Sequence, residues 1–420
     1  MNNMEPTETI KISGVKNSDF YQKHKIELEQ LREFYRKTLS EDIMPFWEKR
    51  VLDKEMGGYF NCFDKSGKLE RDVKCGWFVG RDIYSFSLLY NQFEKRPEWL
   101  KLSEEGVNFM MEKAYLKNGR FAQMMARNGE VINGAISIFT DHFAVKGLYE
   151  YITASEKKEY IPFAKELTDQ LFANVKNPDI LENEGIKKDV KKHAINFMTL
   201  LVAMESRKLF GDTYQNILED CVEQSLYEFA NDKYKAVFEY IKEDGTAFQE
   251  DEGRIIDPGH GMEAMWFCMK AGLECHRKDW VSRASEAVGW LIDRCYDEAN
   301  GGFLQETDVD GFPKDSKKFT MYDDVKVPWD AKIWWVQAEA LYALAMSSLL
   351  TENERHYEYF MKMHHYTETF FHDKAEGEWY SYLYRNNEVL CDKKGTVLKG
   401  PYHVPRCILQ TYLLIDEYLK

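Results

Sequence analysis

No run of apolar residues in this 420-residue sequence approaches the roughly 20 needed to cross a bilayer as a helix. Positive charge is also in short supply. The 71 acidic residues outnumber the 56 basic ones and leave a formal charge of −15. That balance argues against nucleic acid or an anionic membrane as the main partner. The eight cysteines are scattered, with no CxxC pair among them. Several, such as Cys268 and Cys407, sit inside apolar helical patterns, so reduced thiols in a cytoplasmic protein are expected. The opening residues, MNNMEPTETI, lack a basic segment followed by an apolar one, and no secretory signal is expected. GxGxxG, GxxxxGK[ST], GxSxG and HExxH are all missing. Their absence sets aside the commonest nucleotide-dependent and nucleophilic enzyme classes.

What is present is a large apolar content, 44% hydrophobic and 15% aromatic residues, enough for a sizeable core. It is arranged as a repeat. Segments beginning at Gly57, Gly301 and Gly377 share an aromatic start, a polar turn and then an apolar, aromatic-rich helix. Further copies begin at Gly119 and Ala236, and a weaker one ends in KKHAINFMTLLVAME from Lys191. Six units in 420 residues give a period of about 70. Between them lie amphipathic stretches such as YIPFAKELTDQLFANV and DWVSRASEAVGWLIDRCYD. Each unit therefore holds two helices joined by a long loop or short β-hairpin. Six such pairs fit an all-α (α/α)6 barrel, with the more apolar helices as its inner ring and the loops on the active-site side. An open solenoid of helix pairs is the alternative closure. The chain reads as a single domain over 1–420, with 1–20 an N-terminal arm.

If the ring closes, residues at the start of each inner helix converge on one funnel. Unit by unit these are Trp77 and Arg81; Thr140, Asp141 and His142; Asn196 and Met198; His260 and Glu263; Lys332, Trp335 and Glu339; His403 and Arg406. In DPGHGMEAMW, Glu263 follows His260 by one turn. That HxxE spacing could serve a metal, but no third ligand stands at a clear spacing, so no metal is expected. In GPYHVPRC, two prolines bracket His403, and Arg406 lies one turn beyond it. A cation pair at a helix entrance suggests that something anionic, or becoming anionic, meets that end. Interleaved aromatic and polar groups, as in KIWWVQAEAL and CGWFVGRDIY, suit a sugar, whose C–H faces pack on indole while its hydroxyls need partners.

The stretches WFVGRDIY, DPGHGMEAMWF, KIWWVQAEALYAL and GPYHVPRC, in this order, resemble those of the N-acylglucosamine 2-epimerase (renin-binding protein) family, within the wider superfamily that includes cellobiose 2-epimerases. The resemblance runs from about Gly57 to Arg406. It implies an (α/α)6 barrel and interconversion of N-acetylglucosamine and N-acetylmannosamine. It assigns catalytic roles to His260 and His403, and substrate-binding or supporting roles to Arg81, Glu263, Glu339 and Arg406. Met198 stands where cellobiose epimerases carry a further His, whereas Gln337 is spelled as in that disaccharide branch. The resemblance also implies a homodimer and activation by ATP or another nucleotide, although no cofactor is needed for the chemistry. Two histidines on different helices could act on opposite faces of C2 in the open-chain sugar. On this reading Arg406, with Arg81 second, would meet the enolate oxygen. Glu263 would orient His260 or assist ring opening, and Trp77, Trp335 and Tyr402 would pack on the sugar. Other readings are an aldose–ketose isomerase acting on mannose or another free hexose, a cellobiose 2-epimerase, an inverting glycosidase, and a non-catalytic carbohydrate-binding or protein-inhibitor module.

Overall fold

The computed structural model describes residues 15–311 and 318–420. Twelve helices of ten residues or more alternate along the described chain. Six form an inner ring: α2 (Gly76–Gln92), α4 (Ile138–Ser155), α6 (His193–Phe210), α8 (Pro258–Glu274), α10 (Trp334–Thr351) and α12 (His403–Leu419). Six lie outside: α1 (Asp19–Lys37), α3 (Pro97–Phe109), α5 (Ile161–Asn174), α7 (Gln215–Gln224), α9 (Lys278–Cys295) and α11 (Glu354–Tyr366). Each inner helix packs on the next, and α12 returns to α2, so the ring is closed. The architecture is the (α/α)6 barrel expected from the repeat.

The two rings differ in the way their sequences require. The inner helix α10 is buried on all sides from Trp334 to Leu349, apart from the half-exposed Trp335. The outer helix α9 keeps a narrow exposed face at Asp279, Ser282, Glu286 and Asp293, at helical spacings, and buries its apolar residues. Closure is the one step that the repeat alone does not show. Each inner helix pairs with the outer helix that follows it, but α12 has no successor. Its outer partner is α1, the first helix of the chain. Of the expected arm, residues 1–14 lie outside the described residues, and from Asp19 the chain is already part of the barrel wall.

Short hairpins and loops precede the inner helices and gather at their N-terminal ends. Three of them repeat one device. Asp53, Asp297 and Asp373 each open a loop in which the residue four later donates its backbone N–H back to the aspartate carbonyl. A buried lysine is laid across each loop. Lys74 bonds Asp53 Oδ2 at 3.0 Å and the Gly57 carbonyl. Lys332 lies 3.4 Å from Asp297 Oδ2 and bonds the Gly301 carbonyl. Lys394 bonds Asp373 Oδ2 at 3.1 Å and the Glu378 carbonyl. Lys332 therefore staples its own loop and does not face the funnel, contrary to the expectation above. Asp53→Ala would leave the Lys74 ammonium buried without its carboxylate. It is expected to lower stability by about 3–5 kcal/mol in urea unfolding, the usual cost of breaking a buried ion pair.

Glycine allows one crossing that matters for the site. Helices α2 and α4 touch backbone to backbone at Gly80 and Gly147. A Cβ on Gly80 would lie 2.4 Å from the Phe143 carbonyl carbon, and one on Gly147 would lie 2.5 Å from the Gly80 oxygen. This approach brings Arg81 of α2 against Phe143 of α4, 4.0 Å from guanidinium carbon to ring centroid. All eight cysteines are free thiols, and among the described residues no helix is long and apolar enough to cross a membrane.

Candidate active site

Two histidines open or nearly open their helices. Asp257 caps α8, accepting from the His260 backbone N–H at 3.0 Å, and Pro258 starts the first turn. His403 is the first residue of α12, so that helix begins two residues before Pro405. The indole of Trp335 stands between them, its centroid 5.3 Å from that of His260 and 5.5 Å from that of His403. The two imidazoles are thus at most about 11 Å apart, close enough to address one sugar carbon from two sides. Gly259 makes room for this, since a Cβ there would sit 2.3 Å from the Trp335 ring.

Each imidazole is held through Nδ1 by a carboxylate. His403 Nδ1 lies 2.7 Å from Glu339 Oε1, and His260 Nδ1 lies 3.0 Å from Glu239 Oε2. A carboxylate only accepts, so Nδ1 carries the hydrogen and Nε2 is left for the substrate in both rings. The surroundings then separate the two. Burial opposes charge on His260, but Asp257 and Glu239 outweigh it and raise its pKa to about 9. Burial holds the His403 pKa well below the ordinary histidine value, and the Arg81 and Arg406 guanidiniums add to this against the pull of Glu263. At neutral pH His260 is a cationic donor and His403 a neutral base. Environments that push two pKa values apart mark an acid and a base.

The arginines also part company. Arg406 Nη2 is 2.5 Å from Glu263 Oε1 and 2.6 Å from Glu339 Oε1, and Nη1 donates to Tyr402 Oη at 2.8 Å. Trp266 Nε1 donates to the other Glu339 oxygen at 2.8 Å. Glu263, Glu339 and His403 each place a metal-ligand atom within 4.8 Å of the others, and the cation among them is this guanidinium. Arg406 is therefore a buried tie beneath His403, with its Nη donors committed. Arg81 is the reverse. It is 8% exposed and walled by the rings of Trp77, Phe143 and Tyr402, and among the described residues no carboxylate bonds it.

Other expected site residues are distributed as follows. Trp77 and Trp335 are half-buried at the mouth of the barrel, near Arg81 and between the histidines respectively. Tyr402 is buried with its ring perpendicular to that of His403, centroids 4.9 Å apart. Glu263 binds Arg406, and the residue that orients His260 is Glu239. Asn196 turns away from the funnel. Its Nδ2 donates to the Cys221 carbonyl at 2.9 Å and to Ser225 Oγ at 2.8 Å, both on the outer wall. Met198, two residues on, therefore faces the barrel axis. Thr140 and Asp141 fasten α4 to the preceding loop at Gln123 and Arg120, and His142 bonds the Ile138 carbonyl. Glu239 was missed because its strand segment, FEYIKEDG, carries no helical spacing to His260. The signal available was a lone carboxylate inside an apolar stretch.

A closed (α/α)6 barrel with two carboxylate-held imidazoles and a free guanidinium at one mouth defines a sugar epimerase or isomerase. The family model described as N-acylglucosamine 2-epimerase matches residues 58–407, and the chain belongs to that family. It is 26% identical over 392 residues to the N-acylglucosamine 2-epimerase of Bos taurus, covering 90% of each chain. It is 25% identical to the cellobiose 2-epimerase of Dictyoglomus turgidum, covering 92% of this chain and 99% of the relative. The structure of the cellobiose 2-epimerase of Spirochaeta thermophila superposes with a TM-score of 0.79 at 19% identity, covering 94% and 99% of the two chains.

Proposed function

We propose that this isomerase interconverts N-acetyl-D-glucosamine and N-acetyl-D-mannosamine at C2 of the open-chain sugar. The observation that carries the reading is the pair of imidazoles on either side of Trp335, each held through Nδ1 by a carboxylate with Nε2 left over. His403 Nε2 takes the C2 proton. The C–H electron pair becomes the C1=C2 double bond, and O1 takes the negative charge. Arg81 donates to O1, where its help is greatest in the transition state. The enolate then collapses, C1=O1 re-forms, and C2 takes the proton of His260 Nε2 on its other face. His403 leaves the cycle protonated and His260 neutral. The enzyme so released is set for the reverse direction, and exchange with solvent restores it. Glu339 and Glu239 stabilise the imidazolium at each end of this exchange.

The N-acyl substrate is favoured by the apolar character of α6 beside the acid, where the buried Phe197 ring packs on His260 at 5.3 Å and Met198 stands in place of a further histidine. The direct test is NMR of N-acetylglucosamine, N-acetylmannosamine, mannose and cellobiose incubated separately with enzyme in deuterated water. Deuterium at C2 together with the epimer should appear from the N-acetyl sugars. Turnover of mannose to a ketose, or of cellobiose alone, would transfer the reading to the isomerase or the disaccharide epimerase.

The pH dependence follows from the two imidazoles. Either direction needs one proton shared between the pair, so both directions have the same profile. Activity should fall as pH rises through about 9, when His260 loses its proton. On the acid side it should persist below the ordinary histidine range, because His403 resists protonation there. A kcat/KM profile with its acid limb at or above pH 6.5 would contradict this assignment of base and acid.

A further inference from the structure

Below the histidines, one buried amine is unused by the chemistry above. Lys146 of α4 is 1% exposed. Its Nζ lies 2.7 Å from Tyr402 Oη and 3.4 Å from the centroid of Tyr84. The same Tyr402 oxygen accepts from Arg406 Nη1 at 2.8 Å. The Tyr402 ring in turn carries the Arg81 guanidinium at 4.7 Å and stands perpendicular to the His403 ring at 4.9 Å.

The hydrogen count decides the state of this amine. A phenol has one hydrogen and accepts through its lone pairs, and a guanidinium can only donate. If Lys146 were an ammonium it would also donate, and the phenol hydrogen would have no acceptor among the described residues. The hydrogen is placed if the amine has a lone pair to receive it, and burial holds the Tyr402 pKa above that of a free tyrosine, so the proton stays on the phenol. The neighbouring carboxylates are engaged elsewhere. Glu263 is bonded by Arg406, Glu150 by Lys208 and Asn91, and Glu205 by Lys208 and Lys270. None bonds Lys146. Burial, reinforced by Arg406 and Lys270, outweighs the pull of Glu205 and Glu263 and holds the Lys146 pKa well below that of a free lysine.

We infer that Lys146 and Tyr402 form a pair of net charge zero, in which the phenol hydrogen is shared with an uncharged amine, and that Lys146 is a positioning residue for Arg81. The hydrogen bond fixes the rotation of the Tyr402 ring, and that ring is one wall of the Arg81 slot. The positioning role rests on the proposed function of Arg81, whereas the charge state does not.

Two variants separate this from a structural ammonium. Lys146→Met is uncharged and similar in length, and Lys146→Arg keeps a permanent charge. A neutral pair predicts that Lys146→Met has the higher melting temperature of the two. Both variants take away the acceptor of the phenol hydrogen, so the positioning role predicts that each loses turnover by about 10² or more with KM changed much less, the scale of a displaced catalytic group. If Lys146→Arg is as stable as Lys146→Met, or more so, the neutral pair is overturned. If the stability order holds but both variants keep near-normal turnover, the positioning role alone is overturned, and Arg81→Lys measured beside them shows whether Arg81 itself acts. Should neither variant fold, ¹³C NMR of the lysine-labelled wild-type protein decides the charge. One ε-carbon at the free-amine position at pH 7 supports the neutral pair, and all lysines at the ammonium position contradict it.

Discussion

His403→Asn should lose net epimerisation by at least ~10², and as much as ~10⁴, the range that one positioned acid or base contributes. The side chain sits on the Trp335 indole with Nδ1 committed to Glu339, so Nε2 is its only free nitrogen. Asparagine keeps a polar amide where Nδ1 stood but cannot take a proton at neutral pH. The protein should remain folded, because the Arg406 ties to Glu263 and Glu339 persist without the imidazole. Steady-state rates in both directions, with a melting curve on the same sample, check this. A folded His403→Asn protein with near-normal turnover would remove His403 from the chemistry.

The second large effect is expected at Arg81 and not at Arg406. Arg81→Lys keeps a charge but gives up the forked donor geometry. If the guanidinium meets the enolate oxygen, kcat should drop about 10²–10³, the range for one lost oxyanion donor, with KM changed much less. Arg406→Lys should behave differently. Its guanidinium serves Glu263, Glu339 and Tyr402 at once. An ammonium cannot span all three, so the melting temperature should fall, with the carboxylates left partly uncompensated. Turnover per folded molecule should suffer less than in Arg81→Lys. A stable Arg406→Lys enzyme with turnover down ~10², beside a near-normal Arg81→Lys, would reverse the two roles.

Much of the barrel was legible because its repeat is written in local patterns. The loops from Asp53, Asp297 and Asp373 share one pattern, an Asp, a Gly four later and an aromatic six later, and the inner helices stand out by aromatic density. His260, Trp335, Glu339 and His403 could be grouped because each sits in the first turns of such a helix. What sequence does not carry is the partner chosen across the ring. Tyr357 on α11 donates to Glu27 on α1, 330 positions away, and only closure makes them neighbours. Arg406 looked free because the carboxylates that bind it lie 143 and 67 residues upstream. Asn196 was misread for a different reason. The third unit has a weak repeat, and the phase of its helix is set by Ser225 on the outer wall. Gln337 makes a related point. Its side chain bonds both the N–H and the carbonyl of Phe303, so its identity answers to a loop and not to the sugar.

The central claim is that the two imidazoles serve opposite faces of C2. It is tested most directly by following C2–H exchange in deuterated water, without scoring epimerisation, for His260→Asn and His403→Asn on each N-acetyl sugar. His260→Asn keeps the His403 base and should exchange the C2 hydrogen of one epimer only, returning deuterium to the same face. His403→Asn should exchange the other epimer only. The account predicts this complementary pattern, with no inversion by either variant. Exchange of the same epimer by both variants, or inversion by either, would contradict it.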